Sequence, residues 1–204
     1  MKYLLIVAIV LAGSLVASPN EYGYDRDEYK DSRGYYDNDR GSSVDRDDYK
    51  YSRNYKRGVA PVTDRLYARE CGSCHFAYQP GLLPERSWVK LMKNLDNHFD
   101  TDATLEIEDN RKILKYLIDN SAEKFINYKR SRKINDSISK DETPIAVSDT
   151  RYFIKEHRGI ANRLIIQKDV NSLSNCMACH KTADRGSYSE RDINIPNYGK
   201  WDDD

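Results

Sequence analysis

Two short runs constrain this chain more than anything else in it. Cys71-Gly-Ser-Cys74-His75 and Cys176-Met-Ala-Cys179-His180 each hold two thiols with two residues between them, and set a histidine directly after the second. They account for all four cysteines of the 204-residue chain. In such a pentapeptide the thiols can form thioethers to the two vinyl groups of a haem while the histidine reaches the iron from the same turn of chain, and only adjacency permits both. The pattern predicts two covalently attached haem c groups, bound through Cys71, Cys74, Cys176 and Cys179, with His75 and His180 as proximal iron ligands. A zinc site is the competing reading of four cysteines, but the pairs lie about a hundred residues apart, farther than in a zinc ribbon.

A haem iron needs a second axial ligand unless it is to bind or activate a small molecule. Only two histidines remain, His98 and His157, each twenty-three residues from a proximal one (75 to 98, 157 to 180) but in mirrored order. They are the expected distal ligands, His98 for the haem of His75 and His157 for the haem of His180; the plain alternative makes both of them surface or capping residues. Methionine is the other common sixth ligand. Beyond the leader only Met92 and Met177 are left, and Met177 is enclosed in the second motif. Met92 shares a helical face with Trp88 and Leu95 and reads as core packing. Around the haems, Pro80 is a candidate for aiming a carbonyl at the free ring nitrogen of His75, and Tyr188, Arg191 and Trp201 are candidates for the haem propionates.

The chain opens with Lys2, an apolar run from Leu4 to Leu11 and then small residues to Ala17, the pattern of a secretory signal peptide at 1–17. That run is short for a membrane-spanning helix, so the expected location is the periplasm. An oxidising compartment would favour disulfides, yet the histidine after each cysteine pair overrides that prior. Residues 18–59 are almost devoid of aliphatic side chains and repeat imperfectly, Asp25-Arg-Asp-Glu-Tyr-Lys-Asp-Ser-Arg33 returning as Asp45-Arg-Asp-Asp-Tyr-Lys-Tyr-Ser-Arg53. Such a stretch buries too little surface to offset its ordering entropy and reads as a disordered, tyrosine-rich tether, or as a sticky segment for a partner or cell surface. The whole chain is 39% hydrophobic and 32% charged with formal net charge zero. It is lean in apolar residues, which leaves room for a cofactor in the core, and it has no basic stripe for nucleic acid.

Helical spacing governs the rest. Thr63 is placed to cap a helix through Leu66, Tyr67 and Ala68 that delivers the first motif; a helix from about Pro84 carries Trp88, Leu91, Met92 and Leu95; another carries Ile113, Leu114, Leu117 and Ile118. Ser148 or Thr150 caps a helix with Phe153, His157, Ile160 and Leu164 on one face. The expectation is a mainly α chain with two small haem-binding helical domains, 60–128 and 148–204, joined by a polar linker at 129–147. The first resembles a monohaem cytochrome c. The second has a different topology, because it presents its distal histidine before its motif.

At these residues the chain resembles the bacterial dihaem cytochrome c family. The likeness rests on Glu70 through Pro84, on Asn97-His98-Phe99, on Tyr152-Phe153 with His157-Arg158, and on Ser172 through His180. It implies bis-histidine iron at both haems and electron transfer with redox protein partners, a small oxygen-binding haem protein and a membrane cytochrome b, without substrate turnover. The rival functions are a dihaem peroxidase and a haem-based ligand-binding protein, each with one open iron site.

Overall fold

A computed structural model describes Lys56 and residues 58–201. The leader expected at 1–17 and nearly all of the tether expected at 18–59 lie outside the described residues, which all belong to one compact unit, Val44–Asp204. Among them are seven helices: α1 (Arg65–Cys71), α2 (Glu85–Met92), α3 (Ile107–Asp119), α4 (Lys129–Ser137), α5 (Arg151–His157), α6 (Asn162–Ile165) and α7 (Cys176–Cys179). Short 3-10 turns connect them, and an antiparallel pair, β1 (Asn194–Ile195) and β2 (Gly199–Lys200), closes the chain. The fold is mainly helical, as the spacing predicts. No described helix is long and apolar enough to cross a membrane.

The first three helices make one core. Tyr67 of α1, Trp88 and Met92 of α2, and Ile113 and Leu117 of α3 pack with Leu83 and Leu95. Ile113 and Leu117 stand one turn apart on α3 and are fully buried, worth about 1.5–3 kcal/mol each in removed apolar surface. Met92 is 4% exposed within this cluster, which agrees with a packing role. The cap of α1 is Asp64 rather than Thr63: its carboxylate accepts the Tyr67 N–H at 2.8 Å, whereas the Thr63 N–H donates to the Tyr116 hydroxyl. A carboxylate at this position also complements the positive end of the helix. The expected Thr150 cap of α5 is present, its hydroxyl accepting from Phe153 N–H.

Residues 129–147, expected as a linker, contain α4, with Ser131 and Ile134 buried. A linker reading follows from the charged run Lys129-Arg-Ser-Arg-Lys133, but two buried positions three residues apart suffice to dock a helix among larger neighbours. Ile134 and Ile138 join a second cluster with Val59, Leu82, Ala183 and Tyr188, so this core draws on the end of the expected tether, on the expected linker and on both expected haem domains. The boundary of the tether also shifts. Val59 is 2% exposed, and the carbonyls of Lys56 and Gly58 accept the N–H groups of Lys129 and Arg130. These are two of the donors that the first turn of α4 leaves without helical partners, and the preceding chain supplies what no side chain does.

Gly58 and Gly186 both have positive φ, 70° and 75°, and meet where the chain crosses itself; Val59 N–H donates to Gly186 O at 3.0 Å. A Cβ on Gly186 would lie 2.3 Å from the Val59 carbonyl oxygen. The left-handed backbone alone costs a side chain about 1–2 kcal/mol, and the clash falls on backbone that cannot rotate away. Gly186→Ala should therefore lower the thermal midpoint of the holoprotein by at least about 4 °C, read by circular dichroism. An unchanged midpoint would show that this crossing is loose.

Candidate haem sites

Each motif is delivered by a helix end. α1 runs directly into Cys71, and Cys74 and His75 follow in the turn beyond it. Cys176 to Cys179 form the single turn α7, and the His180 N–H closes it on Cys176 O at 2.8 Å. His180 also bridges to Ile193, so the hairpin with the buried Ile195 backs the second motif.

The two remaining histidines come to the two motifs in the pairing that the mirrored spacing predicts. His98 lies across from His75 with ring centroids 6.2 Å apart, and His157 lies across from His180 with ring centroids also 6.2 Å apart. Two imidazoles bound to opposite faces of one iron, with metal–nitrogen bonds of about 2 Å and about 1 Å from nitrogen to ring centre, have centroids about 6 Å apart. The same separation in two unrelated surroundings fits a metal between each pair. The planes differ: 23° apart in the first pair and 74° in the second. Among the described residues no three His, Cys, Asp or Glu side chains form a metal-binding group, so the four thiols do not converge on one zinc.

Local bonding prepares the rings. His75 Nδ1 is 2.8 Å from Phe76 O, and His157 Nδ1 is 2.8 Å from Phe153 O. A carbonyl only accepts, so Nδ1 donates in both cases and the Nε2 lone pair is left for a metal. The partner of His75 is thus its neighbour's carbonyl; that of Pro80 accepts the Trp88 indole N–H at 2.8 Å instead. His157 stacks on Phe153, 3.9 Å between centroids, at the last residue of α5. The helix stops there, so Ile160 and Leu164 do not continue its face; Leu164 lies on α6. His98 is held by a two-residue turn, with hydrogen bonds both ways to Thr101 and positive φ at Phe99 and Asp100. That is a type I′ geometry, costly for phenylalanine and tolerated where a side chain must be aimed. A cleft of about 340 Å³ opens beside it, lined by Leu91, Asn94, His98, Phe99 and Ile145.

The sites differ in burial. His75 and Cys74 are exposed, whereas His157, Cys176, Cys179 and His180 are half-buried. Burial pushes the His180 imidazole down to about 4 and lowers His157 and His98 as well. Neutral imidazole is the form that binds a metal. The same burial pushes the Cys71 and Cys176 thiols up to about 11.

Sequence comparison agrees with the geometry. The sequence model of the dihaem cytochrome c family matches residues 67–188. The chain belongs to the dihaem cytochrome c family. A solved dihaem cytochrome type c from Shewanella baltica OS155 is 32% identical, with a TM-score of 0.56 over 68% of this chain and 97% of that one. A dihaem cytochrome c from Rhodobacter sphaeroides is 36% identical, with a TM-score of 0.57 over 64% of this chain and 100% of its own. No curated protein sequence gives a match. Membership in the dihaem cytochrome c family implies two haem groups, and the four histidines and four cysteines fit them.

Three residues next to the sites escape the sequence reading. Tyr78 lies with its ring 5.3 Å from that of His75, while its hydroxyl donates to Ser174 O, two residues before Cys176, at 2.5 Å. Gln79, fully buried, accepts from the Tyr188 hydroxyl at 2.6 Å and donates to Ala183 O at 2.5 Å. Arg130 is the third. The usable signal for the first two is a polar pair directly after a haem motif; Arg130 is masked by the basic run around it. Of the propionate candidates, Tyr188 is buried with its ring 5.3 Å from that of His180, Arg191 is exposed, and Trp201 packs near Tyr198.

Proposed function

We propose that the chain is an exported, periplasmic electron carrier in which His75 with His98, and His157 with His180, each hold one haem attached through the adjoining cysteine pair. The equal 6.2 Å ring separations carry this reading. Iron held by imidazole on both faces is six-coordinate and passes electrons without a vacant position for substrate. The residues do the positioning: Phe76 and Phe153 carbonyls fix the ring tautomers, the turn at Phe99 aims His98, and partial burial leaves the second pair less open to water than His75. The chain works with redox protein partners of the kind the resemblance implies, a small oxygen-binding haem protein and a membrane cytochrome b, and turns over no substrate itself.

Mass spectrometry of the mature protein should show two haem additions and no free thiol, and spectra of the oxidised form should be wholly low-spin. A high-spin component would sink the bis-histidine reading in favour of an open iron site. Electron paramagnetic resonance gives a finer test. Near-parallel imidazole planes act on the same iron dπ orbital and split the pair, whereas near-perpendicular planes leave the two orbitals close in energy. Two low-spin signals are expected, with the larger maximal g value at the haem of His157 and His180. A single uniform signal would contradict the ring orientations.

A further inference from the structure

Arg130, the second residue of α4, is half-buried. Its guanidinium donates through Nη1 to the Tyr152 hydroxyl at 2.7 Å and through Nη2 to the Tyr188 carbonyl at 2.5 Å. Tyr152 is on α5, the helix that ends in His157, and the Tyr188 ring stands edge-on to His180 at 5.3 Å. One cation therefore clips the helix carrying the second site's distal histidine to the segment flanking its proximal one. Among the described residues no carboxylate bonds to it; its two partners are a phenol and a carbonyl. The carboxylates that act on its partners and the histidines are Glu156, beside Tyr152 and His157, and Asp184, beside Tyr188; both are exposed and screened by water. Lys133 lies over the Tyr152 ring. The guanidinium's two partners lie on the helix that ends in His157 and in the residue whose ring stands beside His180, so its charge is tied to both segments that hold the candidate ligands.

We infer that Arg130 is a positioning and charge-setting residue of the second haem site, raising the reduction potential of the haem bound at Cys176 and Cys179 while leaving that at Cys71 and Cys74 unaffected. This rests on the bis-histidine reading above. An oxidised haem carries one more positive charge than a reduced one, so a neighbouring cation destabilises it, and the effect is largest where little water intervenes. The first site is exposed at Cys74 and His75, and the lysines at its cleft, Lys90 and Lys93, face solvent.

The test is a potentiometric titration of the holoprotein with the two haems resolved by their paramagnetic signals. The wild-type spectrum comes first: a high-spin haem there overturns the ligation reading and this inference with it. With both haems low-spin, Arg130→Gln should lower the potential of the second haem by at least a tenfold change in its reduction equilibrium, about 59 mV for one electron, and leave the first unmoved. Arg130→Met, which keeps the aliphatic stem, gives the same test if the glutamine variant does not accumulate. Arg130→Lys keeps the charge but loses the two-pronged geometry, so it should stay within threefold of wild type while melting earlier. Tyr152→Phe should likewise stay within threefold. The inference is overturned if Arg130→Gln or Arg130→Met leaves both potentials in place, if both haems shift alike, or if the lysine variant falls as far as the neutral ones.

Discussion

Alanine at His98 should turn the haem of Cys71 and Cys74, and only that one, into a high-spin form that binds carbon monoxide when reduced. His157→Ala should do the same to the haem of Cys176 and Cys179. Each variant should thus convert half of the total haem, which is visible in the spin-state bands without resolving the sites. The reason is geometric: each histidine faces one motif histidine at 6.2 Å, and no other histidine exists to replace it. Nor is a methionine free to substitute. Met92 is locked in the first core, where its carbonyl also accepts from Asn110, and Met177 packs in the second. The two variants should differ in stability. His98 stands on a two-residue turn that already bears positive φ at Phe99, so its loss costs the fold little. His157 stacks on Phe153 and bonds its carbonyl, so its loss removes a packed aromatic contact and a hydrogen bond together, roughly 1–3 kcal/mol. Site identity comes from the shifted haem-methyl resonances. If His98→Ala perturbed the haem of Cys176 instead, the pairing would be wrong; if neither variant changed spin state, both histidines would be bystanders.

The sites were legible in sequence to the extent that their chemistry is local. A Cys-x-x-Cys-His run names its candidate ligands outright, and with four histidines in the chain the number and spacing of the other two pair them with the motifs as their rings are found, 6.2 Å away. Helices α2 and α3 could be read because their buried residues recur at helical intervals, as Ile113 and Leu117 do. Helix α4 could not: Ser131 and Ile134 are its only buried positions, and a basic run dominates its composition. Its docking depends on backbone carbonyls of Lys56 and Gly58 more than seventy positions upstream, which no periodicity encodes. Gln79 and Arg130 escaped for the same reason. Their partners, Ala183, Tyr188 and Tyr152, are distant in the chain, and a polar side chain announces nothing about what it will be buried against.

Those long-range bonds bear on whether the two haem regions unfold separately or together. Gln79 follows the first motif by four residues, and both ends of its amide are spent on the segment after the second: Oε1 on the Tyr188 hydroxyl, Nε2 on Ala183 O. The side chain is fully buried, as is Ala183. Gln79→Ala would leave the Tyr188 phenol without a partner in a dry interior, reduce the Ala183 carbonyl to the Gly186 N–H alone, and add a small cavity where the amide stood. The stranded phenol costs roughly 1–3 kcal/mol with the cavity adding to it, so a loss of about 2 kcal/mol is expected. For a folded region of this size that lowers the thermal midpoint by roughly 4–8 °C. The informative readout is where the loss falls. With one shared core, the haem-methyl signals of both haems should disappear in a single transition that moves as a whole to lower temperature. Tyr188→Phe should be less damaging, since it strands only the amide oxygen, and the double variant should cost less than the sum of the singles, because the two residues share a bond. Two separate transitions, with the haem of Cys71 outlasting that of Cys176 in Gln79→Ala, would restore the picture of two independent domains joined by 129–147.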